Sequence, residues 1–427
     1  MKKIIFTILS SLPAYTFAQS LSIEQLWEKV AESSNYQQDS LMAEVKASEL
    51  WELYNKRLPV VYADANIQSN LIRPVTPVPA IAFDPNADEG AIIPLRFATK
   101  WSAKAGVQLE WALFDPKRKY DIAQQELSIK QQELSQQKNI QDWRKNATLA
   151  YLSVVLATKQ YQTAQQDAAH YEEILQISKV RYEAGRASSA EYISAQQEAE
   201  RKQIALAEAW RVLTEADWEL RKYLNLDGVQ HLASDIDAIQ AFVAAKEFQN
   251  LEIDKLQFEQ ALSKLKLNSA KAQLLPTLSA NAYLGAQHYS NDFKIMNSDY
   301  WYGNSFVNLG IRMPLSAYWT VKPTLSKERI NLDITGLKLA EEQKNEQIRQ
   351  EQKKARIDAA QKKVARYGRI EALALEARNN DENAYKAGRL LLSEYNKSLT
   401  AHNKAAQDLW QAQYDLVKVL LELNNAQ

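Results

Sequence analysis

The chain has 427 residues, with 52 basic and 52 acidic side chains, so its formal net charge is zero. This balance argues against a surface that binds nucleic acid or another polyanion, and the absence of cysteine excludes a disulfide framework. Only 10 Gly and 11 Pro are present. A compact mixed domain needs more turns than these residues provide, so we expect few and long elements.

The first residues have the pattern of a secretory signal peptide. Met1-Lys2-Lys3 is positively charged, a short apolar run follows, and Thr16-Phe17-Ala18 resembles a cleavage site. We therefore predict a signal peptide over residues 1–18 and a mature chain that begins at Gln19. No later apolar run is long enough for a membrane-spanning helix, so we predict none.

The first part of the mature chain predicts a helix and two strands. A helix over residues 21–56, capped by Ser22, is followed by alternating apolar and polar residues over 61–68, which is typical of a strand with one apolar face. A second alternating strand covers 103–113. Residues 70–95 contain five Pro and are predicted to form a loop that is too long and irregular for a hairpin turn.

The longest uninterrupted segment follows the second strand. Asp115-Pro116 is a helix-start signature, and residues 117–184 contain neither Gly nor Pro but many strong helix formers. At about 1.5 Å per residue, this helix would be about 100 Å long. We predict that it ends at Gly185, in the left-handed conformation that terminates helices, and that a helix over 189–226 returns beside it.

The second half of the chain repeats this plan. A turn at 225–228 precedes another helix, two strands around 278–286 and 307–313, and a long helix over 324–387 that contains Gly336 and Gly368. Tyr385-Lys386-Ala387-Gly388-Arg389 resembles Tyr182-Glu183-Ala184-Gly185-Arg186 at the first tip. We infer a tandem duplication and divide the mature chain into repeats over 19–226 and 227–427.

The strands imply an assembly of several chains. Short strands with one apolar and one polar face are typical of outer-membrane barrels, although an amphipathic sheet on a soluble core gives the same pattern. The signal peptide and the long helices favour the first interpretation. Because about eight strands are the minimum for closure and sheet edges must be paired in lipid, four strands per chain require oligomerisation, and three copies would supply twelve.

Both repeats have Leu-Pro before the first strand, and both have a Tyr-x-x-Gly tip that is followed six residues later by an acidic residue. Together, the two repeats resemble the TolC family of outer-membrane efflux proteins. The resemblance implies a mainly α fold with a β-barrel portion. A homotrimer would form a 12-stranded outer-membrane β-barrel, with four strands per chain, that continues into a long periplasmic α-helical coiled-coil barrel. It also implies an inner-membrane transporter joined through a periplasmic adaptor protein.

The resemblance further implies two groups of functional residues. The adaptor-docking tips are Ala184, Gly185, Arg186, Ala387, Gly388 and Arg389, and the periplasmic gate includes Glu191, Tyr385 and Glu394. The family's gate arginine falls here on Leu390 and its second acid on Lys397, so we expect an altered gate network. The alternatives are plain helix caps at the tips and solvated acids that the helix dipole favours.

No motif for catalysis or cofactor binding is present in the sequence. The four histidines are scattered without metal-ligand spacing: His170, His231, His288 and His402. We therefore predict no enzyme activity and no cofactor, so energy must come from a partner. The leading hypothesis is a passive exit duct for small molecules in a tripartite efflux pump. The alternatives are the outer-membrane component of a type I protein secretion system and a periplasmic coiled-coil scaffold without a pore.

Overall fold

A computed structural model describes residues 20–224, 232–246 and 250–423. Four predictions lie outside these ranges: the signal peptide, the mature start at Gln19, the turn at 225–228 that separates the repeats, and the environment of His231. Within the ranges, no helix combines the length and the hydrophobicity needed to cross a membrane.

The described part of the chain is mainly helical with a smaller strand portion, as predicted. The helices are α1 (Ile23–Glu28), α2 (Ser34–Asn55), α3 (Arg118–Glu183), α4 (Ser189–Arg221), α5 (Ile236–Ala244), α6 (Leu251–Ala272), α7 (Ala317–Thr320), α8 (Lys322–Lys386) and α9 (Leu392–Leu423). The strands are β1 (Val60–Ser69), β2 (Thr76–Pro79), β3 (Ile92–Leu95), β4 (Trp101–Phe114), β5 (Thr277–Ser290) and β6 (Trp301–Arg312). The uninterrupted helices α3 and α8 have 66 and 65 residues, which confirms the predicted long rods.

The first helix differs from the prediction because it is interrupted at Ser33. Ser22 caps α1 as expected, since its Oγ accepts from the Gln25 amide at 3.3 Å. The Ser33 hydroxyl then donates to the Val30 carbonyl at 2.7 Å and accepts from the Tyr36 amide at 3.3 Å. The hydroxyl thereby provides hydrogen-bond partners for a backbone carbonyl at the end of one helical segment and a backbone amide at the start of the next. One continuous helix over 21–56 was therefore wrong.

The main sheet confirms the four predicted strands and their faces. It is antiparallel with the order β1-β4-β5-β6, and each strand is longer than predicted. In register, Ala63 pairs with Val107 and Val107 with Leu284, so one apolar row crosses β1, β4 and β5. The polar row beside it runs through Asp64 and Gly106. The apolar face is open in one chain, where Val307 is 80% exposed.

The predicted loop over residues 70–95 is instead a small hairpin of β2 and β3. Three of its prolines fall within these strands, and Pro77 lies opposite Pro94. The Ala80 amide donates to the Ala91 carbonyl at 2.7 Å. Because hydrogen-bonded pairs alternate with unbonded ones along an antiparallel ladder, the Pro77–Pro94 pair falls at an unbonded position. Proline has no backbone N–H to donate, but an unbonded position requires no such donor, so both prolines fit in the strands.

The chain divides into two compact units, each built from segments of both predicted repeats. The helical unit contains the described residues of 1–42, 132–255 and 339–427, and the sheet unit contains 43–131 and 256–338. In the core of the helical unit, the Tyr151 hydroxyl donates to the Leu21 carbonyl at 2.7 Å and the Trp27 indole to Thr148 at 2.9 Å. These bonds fix the start of the described chain on α3. The division into repeats stays a prediction.

Candidate functional site

The two tips of the long helices have the same backbone geometry. Gly185 and Gly388 have φ values of +61° and +75°, in the left-handed region predicted for both. At the first tip, the Arg186 amide donates to the Arg181 carbonyl at 2.8 Å and the Gly185 amide to the Tyr182 carbonyl at 3.0 Å. These two bonds define a Schellman motif. The second tip repeats both bonds, each at 2.9 Å.

The predicted docking residues are all exposed at these turns: Ala184, Gly185, Arg186, Ala387, Gly388 and Arg389. A Cβ added to Gly185 would meet no atom within 4 Å, and one added to Gly388 would meet only an Arg181 nitrogen at 3.9 Å. The turns therefore present bare backbone that another protein can approach. Adaptor docking at this surface stays a prediction.

Each tip carries a stacked pair of tyrosines, which we call the first and the second tyrosine pair. In the first pair, the rings of Tyr182 and Tyr192 are 5.4 Å apart and inclined by 7°. In the second pair, the rings of Tyr385 and Tyr395 are 5.9 Å apart and inclined by 12°. The second pair is fully buried, whereas Tyr182 is 43% exposed. The repeats thus build one motif in two different environments.

The side chains of α3 cover Tyr385 in the second pair. Ser178 Oγ and the Tyr385 hydroxyl lie 2.9 Å apart in a hydrogen bond. The Arg181 guanidinium lies 5.0 Å from the centre of the Tyr385 ring and donates to the carbonyl oxygens of Tyr385 at 3.0 Å and Lys386 at 3.2 Å. The last carbonyls of a helix have no partner within it, so Arg181 supplies donors that hold the end of α8 against α3.

Histidine and tyrosine side chains of α3 also cover Tyr395. His170 Nε2 is 2.8 Å from the Tyr395 hydroxyl, and the Tyr171 hydroxyl donates to Asn396 Oδ1. Burial raises the pKa of Tyr395 to about 12, so this hydroxyl remains protonated. Burial also lowers the pKa of His170. The charged groups that face His170 are Glu173, Arg378, Glu382 and Lys386.

A buried ionic cluster around Asp167 joins the four long helices above the tips. Asn403 Nδ2 donates to Asp167 Oδ2 at 2.7 Å, while Lys202 Nζ and Arg378 Nη2 lie 3.6 Å and 3.7 Å from the carboxylate. The Asp167 side chain is only 5% exposed. A buried carboxylate needs such partners, so the cluster fixes the relative positions of α3, α4, α8 and α9 within the helical unit.

Over the described ranges, the predicted gate residues Glu191, Tyr385 and Glu394 make no hydrogen bond or ion pair with one another. Glu191 lies in the first turn of α4, where the Ser188 hydroxyl accepts from its amide at 3.1 Å, and Glu394 is exposed in the first turn of α9. Over the described ranges, neither carboxylate bonds to Tyr385, whose partners are on α3. The gate role of these three residues stays a prediction.

Sequence reasoning missed Arg181 as the guanidinium at the second tip. The resemblance placed an arginine after the glycine, where Leu390 is instead packed beside the second tyrosine pair. A comparison of the two tips could have revealed it. Arg181 and Ala384 both lie four residues before their tip glycine, so only the first tip has an arginine at this position. The Asp167 cluster was also missed. Its partner Asn403 is 236 residues away, so no local pattern reveals the pairing.

Comparisons with known proteins agree with this architecture. Residues 96–226 match the family model described as outer membrane efflux protein. No curated protein is a significant match in sequence.

Solved structures extend the likeness in fold to nearly the whole chain. The open state of the Neisseria gonorrhoeae MtrE outer membrane channel is 14% identical, with 95% of this chain and 88% of that chain covered and a TM-score of 0.73. The Campylobacter jejuni CmeC outer membrane channel is 14% identical, with 95% and 85% covered and a TM-score of 0.67. The Vibrio cholerae outer membrane protein VceC is 13% identical, with 94% of each chain covered and a TM-score of 0.64.

The family model and the shared fold thus agree with the recognition made from the two repeats: residues 96–226 match the outer membrane efflux protein family, and the chain has the fold of solved outer-membrane channels over nearly its full length.

Proposed function

We propose that this protein is the passive exit duct of a tripartite efflux pump, set in the bacterial outer membrane with a large periplasmic part. The description of the matching family supports this location. The observation that carries the proposal is the sheet, which has an exposed apolar face, a polar face and two unpaired edges.

In lipid, unpaired strand edges cost several kcal/mol for each unsatisfied backbone group. The strands β1 and β6 are the edges, and within the described chain neither has a partner on its outer side. Pairing β6 of one chain with β1 of the next removes both edges. Three chains then give twelve strands, with the apolar rows toward lipid and the polar rows toward a water-filled bore.

The long helix α8 supports the same assembly. The long helix α8 has one fully buried residue, Tyr385, along its 65 positions. Its exposed surface includes Ile330, Leu337, Ile370 and Leu373. A helix of this length with so little burial needs neighbours from other chains. A homotrimer would supply them, and its exposed tips would meet a periplasmic adaptor joined to an inner-membrane transporter.

Native mass spectrometry of the detergent-extracted protein tests the assembly, and planar-bilayer recording tests the pore. We expect a mass of three chains and a stable conductance from the purified protein. A monomer that inserts into membranes, or a trimer without conductance, would contradict the proposal.

A strain that lacks the gene tests the cargo. We expect it to become more sensitive to small toxic compounds while its secreted proteins remain unchanged. Loss of a secreted protein with unchanged sensitivity would instead indicate the protein-secretion duct.

A further inference from the structure

The first tyrosine pair lacks the cover that the second pair receives from α3. The tip glycines are 203 residues apart, so each residue of α3 has an equivalent in α8. Ser178 corresponds to Asp381, Arg181 to Ala384 and His170 to Leu373. Because α8 is the repeat equivalent of α3, it carries the surface that would cover a tyrosine pair.

We infer that α8 of a second copy of this chain covers the first tyrosine pair, with its Asp381 carboxylate accepting a hydrogen bond from the Tyr182 hydroxyl. This inference rests on the trimer of the proposed function and specifies one of its contacts. The model for this contact is the hydrogen bond between Ser178 and Tyr385, which is 2.9 Å long within one chain. Asp381 is the equivalent of Ser178 and Tyr182 is the equivalent of Tyr385, but here the two residues belong to different chains.

Both surfaces are free in a single chain. Over the ranges that the structure describes, neither the Tyr182 hydroxyl nor the Asp381 carboxylate has a hydrogen-bond or ion-pair partner. On the same helix, Ile370 and Leu373 are 51% and 61% exposed. They stand where α3 has Asp167 and His170. The face of α8 that carries Ile370 and Leu373 is therefore apolar, and Asp381 places an acceptor on α8 at the position equivalent to Ser178.

The contact joins two different surfaces, one on α4 and the end of α3 and the other on α8. Such head-to-tail contacts generate closed rings when the rotation between copies closes. The contact between copies also lacks the guanidinium of Arg181, because the equivalent residue is Ala384. Two charge-assisted bonds to helix carbonyls therefore have no counterpart there. The contact between copies is the weaker of the two at the tips.

Cysteine cross-linking tests the contact, since the chain has no native cysteine. A tyrosine side chain separates the two backbones, so a disulfide is too short and a short bis-maleimide is the suitable reagent. We expect the double variant Tyr182→Cys/Asp381→Cys to give cross-linked dimers and trimers in denaturing gels. The matched control Tyr182→Cys/Asn379→Cys should not, because two residues correspond to about 200° around the helix.

A second control establishes that the reagent reports this geometry. The variant Ser178→Cys/Tyr385→Cys should be linked within one chain and keep the mobility of a monomer. A photoactivatable residue in place of Leu373 provides an independent measurement, and we expect its cross-links on a second chain near Tyr192. This variant changes an exposed position, so it remains informative if a double variant fails to fold.

The outcomes separate this inference from the proposed function. A trimeric native mass with neither the Tyr182–Asp381 cross-link nor a photo-cross-link near Tyr192 would overturn the inference and leave the trimer in place. A monomeric native mass of the unaltered protein would contradict the proposed function itself. Equal cross-linking by the Asn379 control would also overturn the inference, since the link would then report only proximity.

Discussion

Replacing Gly388 by alanine tests the tip conformation directly. Gly388 has a φ of +75°, where a residue with a Cβ costs roughly 1–2 kcal/mol. The added Cβ would meet only the Arg181 guanidinium at 3.9 Å, an ordinary contact. The expected cost is therefore conformational and confined to the cap. It should weaken the bond from the Arg389 amide to the Ala384 carbonyl, which is 2.9 Å long.

Hydrogen exchange measured by mass spectrometry reports this cost locally. A loss of 1–2 kcal/mol corresponds to exchange of the Arg389 amide about 5–30 times faster. Gly368 in the same helix is the matched control. It is helical, its nearest neighbour to an added Cβ is Leu409 at 4.0 Å, and alanine there should stabilise the helix by about 0.5–1 kcal/mol. Gly368→Ala should leave exchange at the tip unchanged.

Alanine substitutions of the two tip glycines also test adaptor docking. We expect Gly388→Ala, and likewise Gly185→Ala, to leave the amount of trimer in the outer membrane nearly normal while adaptor cross-linking and drug resistance decrease. Unchanged exchange at Arg389 would refute the conformational reasoning. Faster exchange with full adaptor cross-linking would remove the docking role and leave these glycines as helix caps only.

Three further predictions address the rest of the molecule. Gly285→Ala should sharply reduce assembled protein on native gels, because its Cβ would lie 2.3 Å from the Ala105 carbonyl oxygen, while Gly303→Ala, with no atom within 4 Å, should assemble normally; equal yields would contradict this. Burial lowers the pKa of His170, so its contribution to stability is complete above about pH 6.5 and is lost as pH falls through the lowered pKa. The thermal midpoint of the unaltered protein should therefore fall more steeply on acidification than that of His170→Gln, and parallel curves would exclude the effect. The segment between β1 and β4 joins the strand ends opposite those that follow α2 and precede α3, so we expect it to face the outside of the cell. An epitope inserted near Asn86 should therefore label intact cells, and labelling only after permeabilisation would contradict this topology.

The sequence by itself determined the elements whose energies are local. Long stretches without Gly or Pro make α3 and α8 continuous, and a residue that tolerates positive φ ends each one. Alternation assigned the two faces of the sheet, because successive side chains of a strand point to opposite sides. The repeated tip motif was visible for the same reason, since both tips need glycine at the same place.

Only the tertiary structure decided which side chains meet. The hairpin of β2 and β3 was missed because its prolines predicted a loop. A proline disrupts an antiparallel pair of strands only where its amide would donate a hydrogen bond, and the residues of the segment do not show which positions those are. The contact of Arg181 with Tyr385 joins residues 204 positions apart. It depends on how α3 lies against α8, which the packing of all the helices sets together. Identical tip motifs therefore occupy different environments, because a repeat fixes a local conformation but not the neighbour that packs against it.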